Sequence, residues 1–148
     1  SDSMQENKPV SVHDCGLLEL DRHHSRRKGD LSVVQNGDGL PFDVRRVFYL
    51  YDVPAGSARG GHAHYRTAQM IVAVSGSFSL LLDDGTMKRT VVLNRPFLAV
   101  HVPAGIWNEL YDFSSGAVAL VLASDAFDEA DYIRDYRAFR RYRASLQP

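Results

Sequence analysis

What the chain lacks narrows its identity first. It holds one cysteine, Cys15, among 148 residues, which excludes an intrachain disulfide framework and any cysteine-rich zinc site. No run approaches the ~20 apolar residues of a membrane-spanning helix. Net charge is almost absent: 17 Lys and Arg against 18 Asp and Glu leave −1 at pH 7. No overall field therefore draws the protein to nucleic acid or to an anionic membrane. Residues 1–8 contain no apolar signal core, and Ser1-Asp2-Ser3 ahead of Met4 look like a tag remnant. A disordered tail over 1–8 and one domain over 9–148 are expected. With 45% hydrophobic and 24% charged residues, the composition suits a soluble, cytoplasmic globular protein.

What is present is mostly strand. Short apolar segments recur at Leu31–Val34, Val44–Asp52, Gln69–Ser75, Phe78–Leu82, Thr90–Leu93, Leu98–Val102 and Ala117–Ala123. Turn residues separate them, among them Asn36-Gly37, Pro54-Ala55-Gly56, Ser75-Gly76 and Asp84-Gly85. Asp84-Gly85 between two apolar runs marks a hairpin. Many short strands at this spacing predict an all-β sandwich or barrel rather than a parallel sheet with crossover helices. From Asp128 to Ala144 the period changes: Tyr132, Tyr136, Phe139 and Tyr142 or Arg143 recur at helical spacing. Acidic residues begin this stretch and arginines end it, as a helix dipole favours. A C-terminal helix across the outside of the barrel is expected. The basic run from His23 to Lys28 reads as a solvated loop.

Chemistry concentrates in Gly56 to Gly76. Side chains two apart on a strand share a face, so His62 and His64 point the same way with Cβ atoms about 6–7 Å apart. Two imidazoles so placed can hold a metal jointly, or flank a small substrate as a base and its proton partner. Gly60-Gly61 before them permits a tight turn or close approach to a ligand.

The spacing Gly56-(x)5-His62-x-His64-(x)4-Gln69-(x)6-Gly76 resembles the first cupin motif, and Pro103-Ala104-Gly105-Ile106-Trp107-Asn108 echoes the second. The resemblance implies a cupin jelly-roll β-barrel with its active site at the mouth. Metal-binding cupins carry glutamate and a third histidine where this chain has Gln69 and Asn108. Two neutral amides make a poor donor set, so no metal is expected.

A narrower resemblance runs through Arg45 to Asp52, Arg59 to His64, Trp107-Asn108-Glu109, Asp112 to Ser115 and Val121 to Tyr136. These segments are similar to the cupin-type sugar 3,4-ketoisomerases, which move the keto group of a dTDP-4-keto-6-deoxy hexose from C4 to C3. What the resemblance implies is proton transfer through an enediol without a cofactor. It makes His62 the candidate base at carbon and His64 the proton relay, with the reverse order left open. Gln69 and Asn108 would hydrogen-bond the enediolate oxygens. Arg46 and Arg59 would bind the diphosphate, and Phe48, Tyr49, Tyr51 or Trp107 would stack on thymine or line the sugar pocket. Strand parity places Arg46 and Phe48 on one face and Tyr49 and Tyr51 on the other, without telling which face is inner. A homodimer is implied as well. The alternatives are a metal-dependent cupin enzyme and a non-catalytic cupin that binds a sugar nucleotide.

Overall fold

The computed structural model describes residues 8–147; the tail expected to be disordered lies, apart from Lys8, outside the described residues. In chain order the strands are β1 (Leu17–Glu19), β2 (Asp21–Ser25), β3 (Gly29–Val33) and β4 (Arg46–Leu50). They continue with β5 (Arg59–His64), β6 (Gln69–Ser75), β7 (Phe78–Asp83) and β8 (Lys88–Leu93). The last are β9 (Leu98–Val102), β10 (Trp107–Tyr111), β11 (Val118–Ala123) and β12 (Tyr132–Ile133), followed by helix α1 (Tyr136–Ser145).

Two five-stranded sheets face each other, in the orders β1-β9-β6-β11-β4 and β12-β5-β10-β7-β8. Their pairings are antiparallel. Between them lies the main core, to which Ile71, Val100, Ala119 and Val121 contribute from one sheet and Phe78, Leu80, Leu82 and Leu110 from the other. The jelly-roll expectation holds. Alternate residues of the first sheet, such as Met70, Val72, Ala99 and Leu122, face outward, where Leu18, Leu20, Phe42 and Val44 cover them. That sheet is apolar on both faces, which is why its strands read as unbroken hydrophobic runs.

The hairpin predicted at Asp84-Gly85 joins β7 to β8. Asp84 folds the turn by accepting from the amides of Thr86 and Met87, and its other oxygen takes the Val12 amide at 2.9 Å. Gly76 closes the motif in left-handed backbone, φ 65°, where a Cβ would come 2.5 Å from Ser114 Oγ. Only glycine fits there.

Two expectations change. The basic run is not a loop throughout: His23 and His24 lie in β2, paired with Leu31 and Asp30 of β3, and only the tip of that exposed hairpin is a turn. The C-terminal helix begins at Tyr136 rather than near Asp128. Asp128 caps a separate short 3-10 turn, Glu129–Asp131, and Asp135 caps α1 by accepting from the Ala138 amide. Between the caps, β12 pairs with the edge of β5, setting Tyr132 against His64 and Ile133 against Ala63. Tyr132 therefore matches the helical period while belonging to a strand. Helix α1 lies across the second sheet as expected, with Phe139 fully buried against Ala63, Trp107 and Ile133. Tyr136 ties it down through a 2.5 Å hydrogen bond to Asp83.

Candidate active site

A cavity of about 380 Å³ opens between the sheets, lined by Phe48, Arg59, His62, Gln69, Asn108, Tyr132 and Arg134 together with apolar residues. Parity brings these side chains to one place. On β5, His62 and His64 point inward while Ala63 faces the helix. Asn108 stands directly across from His62 in the paired strand β10, and Gln69 begins β6. The register of β5 against β10 shifts between Asn108 and Leu110. Gly60 occupies this bulge with φ 97°, and a Cβ there would meet the Asn108 carbonyl at 3.1 Å.

The bulge positions His62. Its Nδ1 lies 2.6 Å from the Gly60 carbonyl oxygen; a carbonyl only accepts, so Nδ1 carries the proton. Nε2 is then an unprotonated acceptor, buried and without a hydrogen-bond partner among the described residues. Burial lowers the His62 pKa below the ordinary imidazole value, the hydrogen bond to Gly60 opposes this, and Arg134 and Arg46 add to the lowering. The ring is neutral at pH 7 and can take a proton from a ligand.

His64 lies deeper, 3% exposed, with its ring 4.9 Å from that of His62 and edge-on to it. Burial and the neighbouring His62 push its pKa down to about 4 against the opposing pull of Asp131. Tyr132 packs beside both rings, at 4.3 Å from His64 and 5.0 Å from His62. Its hydroxyl accepts from Arg46 Nη1 at 3.2 Å, and the Arg134 guanidinium lies 4.2 Å over its ring. The lining side chains include two guanidiniums and no carboxylate, so the cavity favours an anion.

As a cupin metal centre the set does not fit. His64 Nε2 faces Gln69 Nε2 at 3.4 Å, and the amide of Asn108 leans toward the His62 carbonyl oxygen at 3.5 Å. Among the described residues, no group of three or more His, Cys, Asp or Glu is gathered that could hold a metal ion. Imidazole and carboxylate donors are what such ions favour, and two amides replace half of them.

The model of the family described as FdtA, WxcM-like, C-terminal matches residues 13–144. The chain belongs to that family. It is 39% identical over 119 residues to the TDP-4-oxo-6-deoxy-alpha-D-glucose-3,4-oxoisomerase of Aneurinibacillus thermoaerophilus, covering 80% of this chain and 86% of the relative. Among solved structures, a 3,4-ketoisomerase from Helicobacter canadensis superposes with a TM-score of 0.84 at 37% identity, over 88% of this chain and 98% of the other. A mutant of the 3,4-ketoisomerase QdtA from Thermoanaerobacterium thermosaccharolyticum, crystallised with TDP-4-keto-6-deoxyglucose, gives a TM-score of 0.87 at 28% identity. That match covers 91% of this chain and 97% of QdtA.

In this family member, Phe48, Arg59, His62, Gln69 and Asn108 share the cavity as the sequence suggested, with His64 buried beside His62. Three expected contacts differ. Trp107 alternates with the inward Asn108, so its indole points out of the barrel and packs edge-on against Tyr136 at 5.2 Å. Tyr49 is on the outer face of β4, 60% exposed, and lines a neighbouring groove with Tyr51 and Arg59. Arg46 is on the inner face but is absent from the cavity wall, because Tyr132 takes its guanidinium as a partner. Sequence reasoning missed Tyr132, Arg134 and Asp131 as site residues, since all three were absorbed into the expected helix. The signal available was two Asp residues, Asp128 and Asp135, whose capping preference breaks a continuous helix.

Proposed function

We propose that this chain moves the keto group of a TDP-4-keto-6-deoxy hexose from C4 to C3, with His62 as the base at carbon. The observation that carries the assignment is the unpartnered Nε2 of His62, buried beside the cavity and held as an acceptor by the Gly60 carbonyl. In the reaction, Nε2 removes the C3 proton and electrons move onto the C4 oxygen, giving an enediolate. A proton then passes between the two oxygens, and C4 is reprotonated as the C3 carbonyl forms. His64, in ring contact with His62, serves as the relay. Gln69 and Asn108 offer neutral N–H donors to the enediolate oxygens, stabilising charge where it develops. Neutral imidazoles fit this step, since a useful base must be unprotonated at working pH. The carbon skeleton gains and loses no electrons overall, so the step calls for no redox cofactor, and the donor set gives a metal no role.

Arg59 lies where the cavity meets the groove lined by Tyr49 and Tyr51. In this reading it takes the diphosphate, the sugar reaches inward to His62, and thymine lies toward the tyrosines. The unit is one cupin domain over 9–148 and works as a homodimer. β4 ends its sheet with an open edge, and Val47 is 55% exposed beside it, surface that a second copy would cover. Among the described residues, no helix is long and apolar enough to cross a membrane. The lone buried Cys15 needs no oxidising compartment, in keeping with a cytoplasmic location.

Incubation with TDP-4-keto-6-deoxyglucose in heavy water, followed by NMR, tests the reading. A 3-keto product carrying deuterium at C4, formed equally well after exhaustive chelation, is expected. Binding without exchange would make the protein a non-catalytic sugar-nucleotide binder. Loss of turnover on chelation, restored by one divalent ion, would establish a metal enzyme instead.

A further inference from the structure

Asp131 is 2% exposed and comes from the turn ahead of β12, 67 residues along the chain from His64. Its carboxylate meets donors on all sides. His64 Nδ1 lies 3.2 Å away, the amides of Arg66 and Thr67 donate at 2.6 and 3.2 Å, and the Thr67 hydroxyl donates at 2.5 Å. Burial pushes the carboxyl upward, but the Thr67 hydroxyl, the two amides and His64 outweigh it and hold it below the usual carboxylate range. The group is therefore ionised at neutral pH and can only accept. Its partner nitrogen, His64 Nδ1, must carry the proton, which leaves Nε2 as a lone pair turned toward Gln69.

We propose that Asp131 is a positioning residue for the isomerisation, locking His64 in its Nδ1–H tautomer so that Nε2 is the proton-accepting end of the relay. The inference rests on the reading of His62 and His64 as the proton-transfer pair. When Nε2 takes a proton from the enediol, the imidazolium that forms lies against the Asp131 carboxylate. The same proton leaves from Nε2 to the sugar, so ring and carboxylate end as they began. A carboxylate paired with histidine in this way orients the ring and stabilises its charged form without itself being protonated.

Asp131 also joins the Tyr132 segment to the turn after β5, so a purely structural role must be separated from the proposed one. Nitrogen–proton correlation spectra of the unmutated, isotope-labelled protein report the tautomer directly: Nδ1–H is expected for His64, and Nε2–H would overturn the proposal before any variant is made. Asp131→Asn keeps the shape and one acceptor but loses the charge. It is expected to lower kcat about 10–100-fold, leave KM for the TDP-sugar within about three-fold, and shift His64 toward the other tautomer. Thr67→Val removes the hydroxyl that anchors the same carboxylate while sparing the histidine contact. It is expected to keep the tautomer and to hold kcat within about two-fold, whereas an equal loss in both variants would mean that Asp131 serves only as an anchor. A folded Asp131→Asn protein with unchanged tautomer and near-normal kcat would overturn the proposal. Wild-type turnover in His64→Asn would instead defeat the reading of the histidine pair, a separate result from the tautomer measurement.

Discussion

The two faces of β5 and β10 divide the labour of this barrel. Inward, the strands present His62, His64 and Asn108; outward, they present Ala63 and Trp107 to helix α1. Both faces are shielded from water, yet one is polar and the other apolar. The outer face has an ordinary hydrophobic purpose: Phe139, Trp107 and Ile133 pack together, and a fully buried side chain of this kind contributes about 1.5–3 kcal/mol. The inner face holds imidazoles that burial keeps neutral. Stability on one side supports reactivity on the other, and the two are separable by substitution.

The sharpest test of that separation strikes the inner face. His62→Asn and His64→Asn are each expected to slow isomerisation about 10²–10⁴-fold, the usual worth of a positioned acid or base, with little change in fold or in affinity for TDP. The two should also differ. Loss of His62 abolishes deuterium exchange at C3, whereas loss of His64 leaves some exchange without net product. Near-normal turnover in both would return the pair to a structural role.

The outer face predicts the converse. Phe139→Ala opens a cavity under α1 and should destabilise the protein by about 3–5 kcal/mol, read as a lower midpoint in urea. At temperatures where the variant remains folded, kcat should stay within about three-fold of normal. A collapse of kcat with unchanged stability would show that the helix governs the site directly.

The smallest effect is on pH. His64 has a folded-state pKa of about 4, below the ~6.5 of an unfolded imidazole. Between those values the unfolded chain binds more protons, so stability rises with pH across the window. It is fully present above about 6.5 and is lost as pH falls toward 4, by about 1.4 kcal/mol per unit at most. His64→Asn should flatten this part of the curve. Activity should likewise persist below the ordinary imidazole range, because burial keeps His62 unprotonated there. An acid limb of kcat/KM centred at or above 6.5 would count against a buried base.

Much of this was legible in the chain itself. The motif from Gly56 to Gly76 carries its own geometry: alternation puts His62 and His64 on one face, and Gly76 occupies left-handed backbone where a side chain would strike Ser114. The antiparallel sheets followed from short apolar segments between turns. Gln69 lies at the cavity within the same motif as the histidines, five residues from His64, whereas Asn108, 46 residues from His62, was reached through the echo of a second motif. What only the tertiary structure decided was orientation and partnership. Parity alone cannot say which face of β4 is inner; the pairing with β11, whose Val121 faces the core, turns Phe48 inward and Tyr49 out. Helical periodicity could not reveal that Tyr132 leaves the helix, because the edge of β5 that claims it is far away in sequence. For the same reason the contact between Asp131 and His64 was invisible. Residue type and spacing specify which groups a strand presents, whereas the charge state and aim of each group depend on what the rest of the chain packs against it.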